Sequence, residues 1–259
     1  MHQTEGARLG LRYVYRLFDF DALRLDDSVL PEVIAAAGRH GYVGLNVTHP
    51  FKERVATCLD GLAPEAEAIG AVNTIVLRNA RSTGHNTDCW GFAESFRRGM
   101  DGARLDRVVL IGAGGAGAAV ARALFQLGVG RLDVFDADPA KAAKLAGGLA
   151  AAFGEGRAFF AEDLQACMGE AAGIVNATPV GMAKYPGMPI ARAWLRGELW
   201  VADIVYFPQE TELLQAARAA GCRTLDGVGM AVFQAVKAFE LITGVLPDAA
   251  EMARHFESP

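Results

Sequence analysis

One lysine and one aspartate, Lys52 and Asp88, stand among many neutral hydrogen-bonding side chains in the first part of the chain. Asn46, Thr48 and Lys52 share one short stretch, Asn73 ends the next apolar run, and Asn86 and Asp88 mark a third. Amides and hydroxyls in this number suit a polyhydroxylated ligand. A lysine with a carboxylate suits proton transfer at a carbinol oxygen, because removing hydride from C–H requires loss of the O–H proton. Taken singly, each residue has a plainer reading. Lys52 reads as a solvated lysine at a helix start, Asp88 as a helix N-cap and Asn73 as a turn residue. Gln234, inside an apolar helix, reads as a satisfied core amide. His49 and His85 have no partner at metal-ligand spacing.

A second constellation lies downstream. Ile111-Gly-Ala-Gly-Gly-Ala-Gly-Ala-Ala-Val120 places Gly112, Gly114 and Gly117 at the GxGxxG positions. Glycines cluster in turns for many reasons, so the surroundings decide. Val108–Ile111 reads as a buried parallel strand, Ala118–Leu127 as an Ala-rich helix, and Arg131–Phe135 as a second strand ending at Asp136. That carboxylate lies 24 residues after Gly112, near the distance at which a Rossmann unit binds the adenine ribose. The first glycine allows a tight turn, the second admits a pyrophosphate, and the third lets helix and strand pack closely. The helix N-terminus offers free N–H groups to phosphates.

The elements that must position these residues alternate. Glu5–Gly10 reads as the end of a helix and Tyr13–Phe18 as an aromatic, alternating strand. Val29–Gly38 reads as a helix capped by Ser28, with Pro31 in its first turn. Tyr42–Val47 is a strand running into Thr48-His-Pro-Phe-Lys52. Val55–Leu59 and Pro64–Ile69 are helical, Ala71–Leu77 is a strand, Asn79–Gly84 a polar turn, and Gly84–Phe92 enters a helix that ends near Arg98. After Asp136 come a helix (Pro139–Phe153), strands at Ala158–Phe160, Gly173–Thr178 and Leu199–Val205, a helix (Glu210–Ala220), a strand (Arg223–Leu225) and helices at Val228–Thr243 and Pro247–His255. This order predicts an α/β fold: an N-terminal α/β substrate domain and a Rossmann-type doubly wound parallel sheet. The polar, Gly-containing stretch from Met100 to Arg107 marks the boundary between them.

Bulk properties narrow the function. The 259 residues are 52% hydrophobic and 21% charged, as in a folded globular protein. A net charge of −5 and the lack of any Lys/Arg run argue against nucleic acid. No apolar run reaches membrane-spanning length, and no signal peptide is visible. Cys58, Cys89, Cys167 and Cys222 form no CxxC pair and read as reduced thiols of a cytoplasmic protein without a metal site.

The motifs together carry a resemblance. Asn46-Val-Thr-His-Pro-Phe-Lys52, Gly70-Ala-Val-Asn-Thr74, Gly84-His-Asn-Thr-Asp88, the glycine loop, Asn176-Ala-Thr-Pro-Val-Gly-Met182 and the Met230…Gln234 helix look like the shikimate/quinate dehydrogenase family over nearly the whole chain. The resemblance implies NAD(P)-linked interconversion of a cyclic alcohol and its ketone, shikimate and 3-dehydroshikimate, in aromatic amino acid biosynthesis. It implies that Lys52 and Asp88 are the catalytic pair and that Asn46, Thr48, Asn73, Asp88 and Gln234 hold the substrate. Gly112, Gly114, Gly115, Ala116, Gly117, Asp136, Asn176, Thr178, Met182 and Met230 then surround the cofactor. It also returns the C-terminal helices to the substrate domain, giving residues 1–99 with 231–259 and a dinucleotide-binding domain of 100–230, with the active site in the cleft between. Many members end the second Rossmann strand in an Asn-Arg-Thr-type sequence for the NADP 2′-phosphate. Phe135-Asp-Ala-Asp138 instead resembles the NAD-using quinate/shikimate branch. Members also begin with a strand and a Ser-x-Ser or Ser-x-Thr pair for the substrate carboxylate. This chain opens at Met1-His2, so the resemblance implies an incomplete first sheet and a weak hold on that carboxylate. The expectation is an NAD-dependent shikimate dehydrogenase, monomeric or homodimeric. Its rivals are a quinate or aminoshikimate dehydrogenase, and a non-catalytic NAD-binding regulatory paralogue.

Overall fold

Short helices and a four-stranded sheet occupy the first 87 residues of the computed structural model, which describes residues 1–257. The elements are α1 (His2–Arg8), α2 (Phe20–Leu23), α3 (Leu30–Arg39), β1 (Gly44–Asn46), β2 (Gly61–Leu62), α4 (Pro64–Ile69), β3 (Thr74–Arg78) and β4 (Arg81–His85). The sheet order is β1-β3-β4-β2, antiparallel except for the β2–β4 pair. Helix α3 shows why this part folds. Leu30, Ile34 and Ala37 recur at helical spacing and are buried. Leu30 and Ile34 pack with Val55, Ala66, Val72 and Ile75 into one core.

Three expectations fail here. Tyr13–Phe18 is extended but not a strand. Its alternation is real, since Leu11, Tyr13 and Tyr15 are half-buried while Arg12, Val14 and Arg16 are exposed. A ladder also needs a neighbouring edge, and β1 pairs only with β3. Side chains hold the segment instead: Tyr13 and Tyr15 stack on the His2 ring, and Tyr13 on Phe239. Asn79–Gly84 is not one polar turn. Only Asn79 and Ala80 turn, both at positive φ (52° and 57°), and β4 follows at once. Two left-handed residues match strand twist in a two-residue hairpin. Ser28 does not cap α3. It lies in a 3₁₀ turn, Asp27–Val29, where the Asp26 carboxylate accepts its backbone N–H.

The second unit comprises residues 88–231. It contains α5 (Asp88–Gly99), β5 (Arg107–Ile111), α6 (Gly115–Gln126), β6 (Arg131–Phe135), α7 (Pro139–Phe153), β7 (Ala158–Phe160), α8 (Leu164–Glu170), β8 (Gly173–Asn176), β9 (Trp200–Asp203), α9 (Glu212–Ala219) and β10 (Arg223–Leu225). All six strands are parallel, in the order β10-β9-β8-β5-β6-β7. This is the doubly wound order, with its switch point between β5 and β8, where ligands bind at the strands' carboxyl ends. The α/β, Rossmann-type fold expected from the sequence is therefore present. Helix α8 had no counterpart in the sequence reading. The chain passes back into the first unit, which continues from residue 232, within α10 (Val228–Thr243) and ends in α11 (Ala249–Glu257). In that first unit the Glu5 carboxylate accepts from Arg8 and from the Asp248 backbone, tying α1 to the start of α11. The sequence boundary at 99/100 falls at the end of α5. The boundary between the compact units falls at its start, because α5 packs on α6.

Candidate active site

The three polar stretches of the first unit converge through their backbones. Val47 N–H donates to the Asn73 carbonyl (2.8 Å), Asn73 N–H to the His85 carbonyl (3.0 Å), and Val72 N–H to the Lys52 carbonyl (2.8 Å). The segments carrying Asn46, Lys52, Asn73 and Thr87 are thereby set side by side. Their side chains form a connected row. Tyr15 Oη donates to Asn46 Oδ1 (3.3 Å), Asn46 Nδ2 to Thr74 Oγ1 (3.5 Å), and Thr74 Oγ1 to Asn73 Oδ1 (3.1 Å). Asn73 Nδ2 donates to Thr87 Oγ1 (2.9 Å) and to Gln234 Oε1 (3.5 Å), while Asn73 Oδ1 accepts the Thr87 N–H (2.8 Å). Asn73 is 2% exposed, so it is held rather than mobile. A cavity of about 310 Å³ opens beside this row, lined by His2, Gln3, Tyr15, Asn46 and Gln234 among others. That volume lies at the small end of ligand pockets.

Lys52 and Thr48 sit on the turn after β1. The Phe51 N–H donates to the Thr48 carbonyl (3.0 Å), and a cis His49–Pro50 bond lies between. Thr48 is exposed and Lys52 half-buried. Asp88 is the first residue of α5 and is buried. An acid at a helix N-terminus meets the positive end of its dipole. His85 Nδ1 lies 2.9 Å from Glu65 Oε1, on the far end of β4. Asn86 donates to the Ala71 carbonyl (3.0 Å). Among the described residues, no group of three or more His, Cys, Asp and Glu side chains could hold a metal ion. No helix there is long and apolar enough to cross a membrane.

The glycine loop of the second unit has the form a dinucleotide requires. Gly112 has φ +105°, and a Cβ on it would lie 2.8 Å from the Ala177 backbone at the end of β8. A Cβ on Gly117 would lie 2.0 Å from the Gly112 carbonyl oxygen. Only glycines admit this approach of helix to strand. Gly114 caps α6, whose first turn is Gly115, Ala116 and Gly117, with N–H groups left over from the helix ladder. The Asp136 carboxylate stands at the end of β6. Its Oδ2 accepts the Ala113 N–H (2.7 Å) and its Oδ1 the Asp138 N–H (2.9 Å). The loop and the acid therefore fix each other. The cradle fits a dinucleotide: phosphates at the N-terminus of α6, ribose hydroxyls at Asp136.

The Asn176–Met182 loop leaves β8 beside it. Asn176 Nδ2 donates to the Val180 carbonyl (2.9 Å) and to Asp203 Oδ1 (3.0 Å). Asn176 Oδ1 accepts from Thr178 N (3.1 Å) and Thr178 Oγ1 (2.7 Å). Met182, on the same loop, is exposed, whereas Met230 is buried in the first turn of α10.

Sequence reasoning missed Tyr15, His2, Asp203 and Thr211. His2 is half-buried among rings, its buried Nδ1 without a hydrogen-bond partner among the described residues, and desolvation, with the N-terminal charge nearby, pulls its pKa down to about 4. Nothing in a Met-His start marks such a residue. Asp203 is a strand-end acid in an apolar run, a signal that the sequence does contain.

Residues 1–75 match the profile of the shikimate dehydrogenase substrate binding domain. The chain is 55% identical to a shikimate dehydrogenase (NADP(+)) of Streptomyces avermitilis, over 97% of this chain and 87% of that one. It is 44% identical to a quinate/shikimate dehydrogenase (NAD(+)) of Corynebacterium efficiens, over 100% and 92%. Its fold is similar to the solved quinate dehydrogenase from Corynebacterium glutamicum in complex with NAD, at TM-score 0.91 and 44% identity, covering 100% of this chain and 93% of that one. The glycine cradle, the polar row and these likenesses agree, and the chain belongs to the shikimate/quinate dehydrogenase family, oxidoreductases that act on a hydroxyl group.

Proposed function

We propose that the protein is an NAD-dependent dehydrogenase that interconverts shikimate and 3-dehydroshikimate. The observation that carries the cofactor choice is the Asp136 carboxylate, locked by two backbone N–H groups where a ribose 2′-hydroxyl would lie. The polar row supports the substrate. Asn46, Asn73 and Gln234 are neutral amides in one hydrogen-bonded chain, suited to ring hydroxyls rather than to a second charge. Thr48, on the adjoining turn, adds a hydroxyl. The bound dinucleotide supplies the hydride acceptor. Lys52 takes the carbinol proton in the oxidising direction and returns it in reduction. Asp88 hydrogen-bonds the same hydroxyl and orients the lysine. Gly112 to Gly117 and Asp136 hold the cofactor's phosphates and ribose, and Thr178, Met182 and Met230 border its nicotinamide end. In this reading residues 1–99 and 231–259 are the substrate domain and residues 100–230 the dinucleotide domain.

Steady-state rates with shikimate and quinate, each with NAD and NADP, test the proposal. Shikimate with NAD is expected to give the highest kcat/KM. A higher value with quinate would move the substrate assignment, and no turnover of either acid would refute the enzyme reading. A second reading, NADP use, is favoured by the names of the relatives at 55% and 48% identity, which are shikimate dehydrogenases (NADP(+)).

A further inference from the structure

We propose that Asp203 is a positioning residue for the reaction: with Thr211 it fixes Asn176, and through Asn176 it sets the Thr178–Met182 loop against the nicotinamide end of the cofactor. This rests on the reading of that loop as part of the cofactor site. The argument starts from bonding capacity. An asparagine side chain offers two N–H donors and two acceptor lone pairs. Asn176 spends all four inside the protein, on Val180, Asp203 and Thr178 twice. It has no side-chain bond left for a cofactor, so its work is to shape the loop. Thr178 Oγ1 continues the network by accepting the Val180 N–H (3.2 Å).

Asp203 anchors the other end. Its Oδ1 accepts from Asn176 and from the Val205 N–H (3.0 Å), and its Oδ2 from Thr211 Oγ1 (2.7 Å). Thr211 in turn caps α9, its hydroxyl accepting the Leu214 N–H (3.3 Å). The loop rests directly on this pair. A Cβ added to Gly181, at φ +107°, would stand 3.3 Å from Thr211 Cγ2 and 3.7 Å from Asp203 Oδ2. A chain of hydrogen bonds thus runs from a helix cap, through a buried carboxylate, to the loop. Burial opposes the charge and pushes the Asp203 carboxyl up to about 6, while its three donors pull the other way. A buried acid that makes no ion pair costs stability unless its bonds are satisfied. This one is kept where three segments meet at the cofactor end of the sheet.

The test uses the full chain and two ligands. NAD carries the nicotinamide ring and ADP-ribose lacks it, yet both keep the pyrophosphate and adenine ribose that the glycine loop and Asp136 would engage. Affinities are measured by titration calorimetry for the wild type, Asp203→Ala, Asp203→Asn and Thr211→Val, with melting temperatures as a fold check. Asp203→Ala is expected to weaken NAD about tenfold while leaving ADP-ribose within about twofold, a contrast near 1.4 kcal/mol. Thr211→Val is expected to shift NAD alone by about threefold. Asp203→Asn keeps acceptors for Asn176 and Val205 and is expected to restore most of the NAD affinity. Where activity is measured, kcat with NAD falls in Asp203→Ala and the KM for the acid does not. Parallel loss of both ligands in Asp203→Ala and Thr211→Val, or no change in either, overturns the proposal. If Asp203→Ala fails to fold, Thr211→Val decides by the same contrast, with Asp203→Asn as the near-wild-type control. The binding contrast needs no turnover, so failure of the wild type to oxidise either acid would count against the enzymatic reading alone.

Discussion

The proposed preference for NAD over NADP rests on one carboxylate that cannot turn away. Asp136 is half-buried, with one oxygen bound to the Ala113 N–H and the other to the Asp138 N–H. Swinging it clear of a 2′-phosphate would break both bonds, each to a charged acceptor and worth about 1.5–3 kcal/mol. Leaving it in place puts it against a group carrying about −1.5 to −2 charges. At about 4 Å the repulsion is roughly 1.5–2 kcal/mol with the dielectric of water, and several times more at an effective dielectric of about 20. No arginine follows before Arg157 to offset it, and Lys141, in the first turn of α7, is exposed. The weakest case therefore still gives at least about tenfold in favour of NAD. The assay is kcat/KM for each cofactor at saturating acid, repeated at low and high salt. The ratio is expected to exceed about ten and to shrink as salt screens the repulsion. Asp136→Ala is expected to lower the NAD value by about tenfold and to raise or spare the NADP value, so that the ratio collapses. Equal efficiency in the wild type, or a preference for NADP, would refute the reasoning.

Three further outcomes are expected. Lys52→Ala should lower kcat by about 10²-fold with KM within a few-fold, and a near wild-type kcat would remove the lysine from the mechanism. Gly117→Ala drives a Cβ to within 2.0 Å of the Gly112 carbonyl oxygen, so the loop must open at a cost of about 1–3 kcal/mol. NAD titration should then show at least about a tenfold loss, and an unchanged Kd would contradict the close packing. Acidification should move the two units in opposite directions. His2, with its pKa lowered to about 4 by burial, makes the first unit lose stability as pH falls from about 6.5 toward 4. Asp203, raised to about 6, makes the second unit gain stability as pH falls through about 6 toward 4. Each effect approaches roughly 3 kcal/mol over its full range. Hydrogen exchange followed separately in the two units between pH 7 and 5, after correction for intrinsic rates, should show protection falling in the first and rising in the second. Falling protection in both units would contradict the Asp203 assignment, and rising protection in both would contradict that of His2.

Sequence periodicity and motif chemistry were enough for most of the architecture. The strand–glycine loop–helix unit, α7, β7, β10 and α10 lie where their patterns place them, since each carries its own signal in burial period or turn residues. The failures share a cause. Tyr13–Phe18 alternates as a strand does, but a ladder depends on a neighbour that the segment itself does not encode. The hairpin after β3 turns on Ala80 at φ 57°, a conformation that alanine does not advertise. The same limit applies to Asp203, whose partner Asn176 lies 27 residues away, and to Thr211, which joins the network only through Asp203.

In the candidate site, residue type and residue role come apart for the same reason. The motif names Asp136 and Asn176 alike as cofactor residues, and both are polar side chains at strand ends. Their unused capacity separates them. Each Asp136 oxygen accepts one N–H and retains a lone pair, so the acid can still meet ribose hydroxyls. Asn176 retains nothing. A substitution at Asp136 should therefore change which cofactor is chosen, whereas one in the Asn176–Asp203–Thr211 chain should change how well the nicotinamide end is held, whichever cofactor is bound.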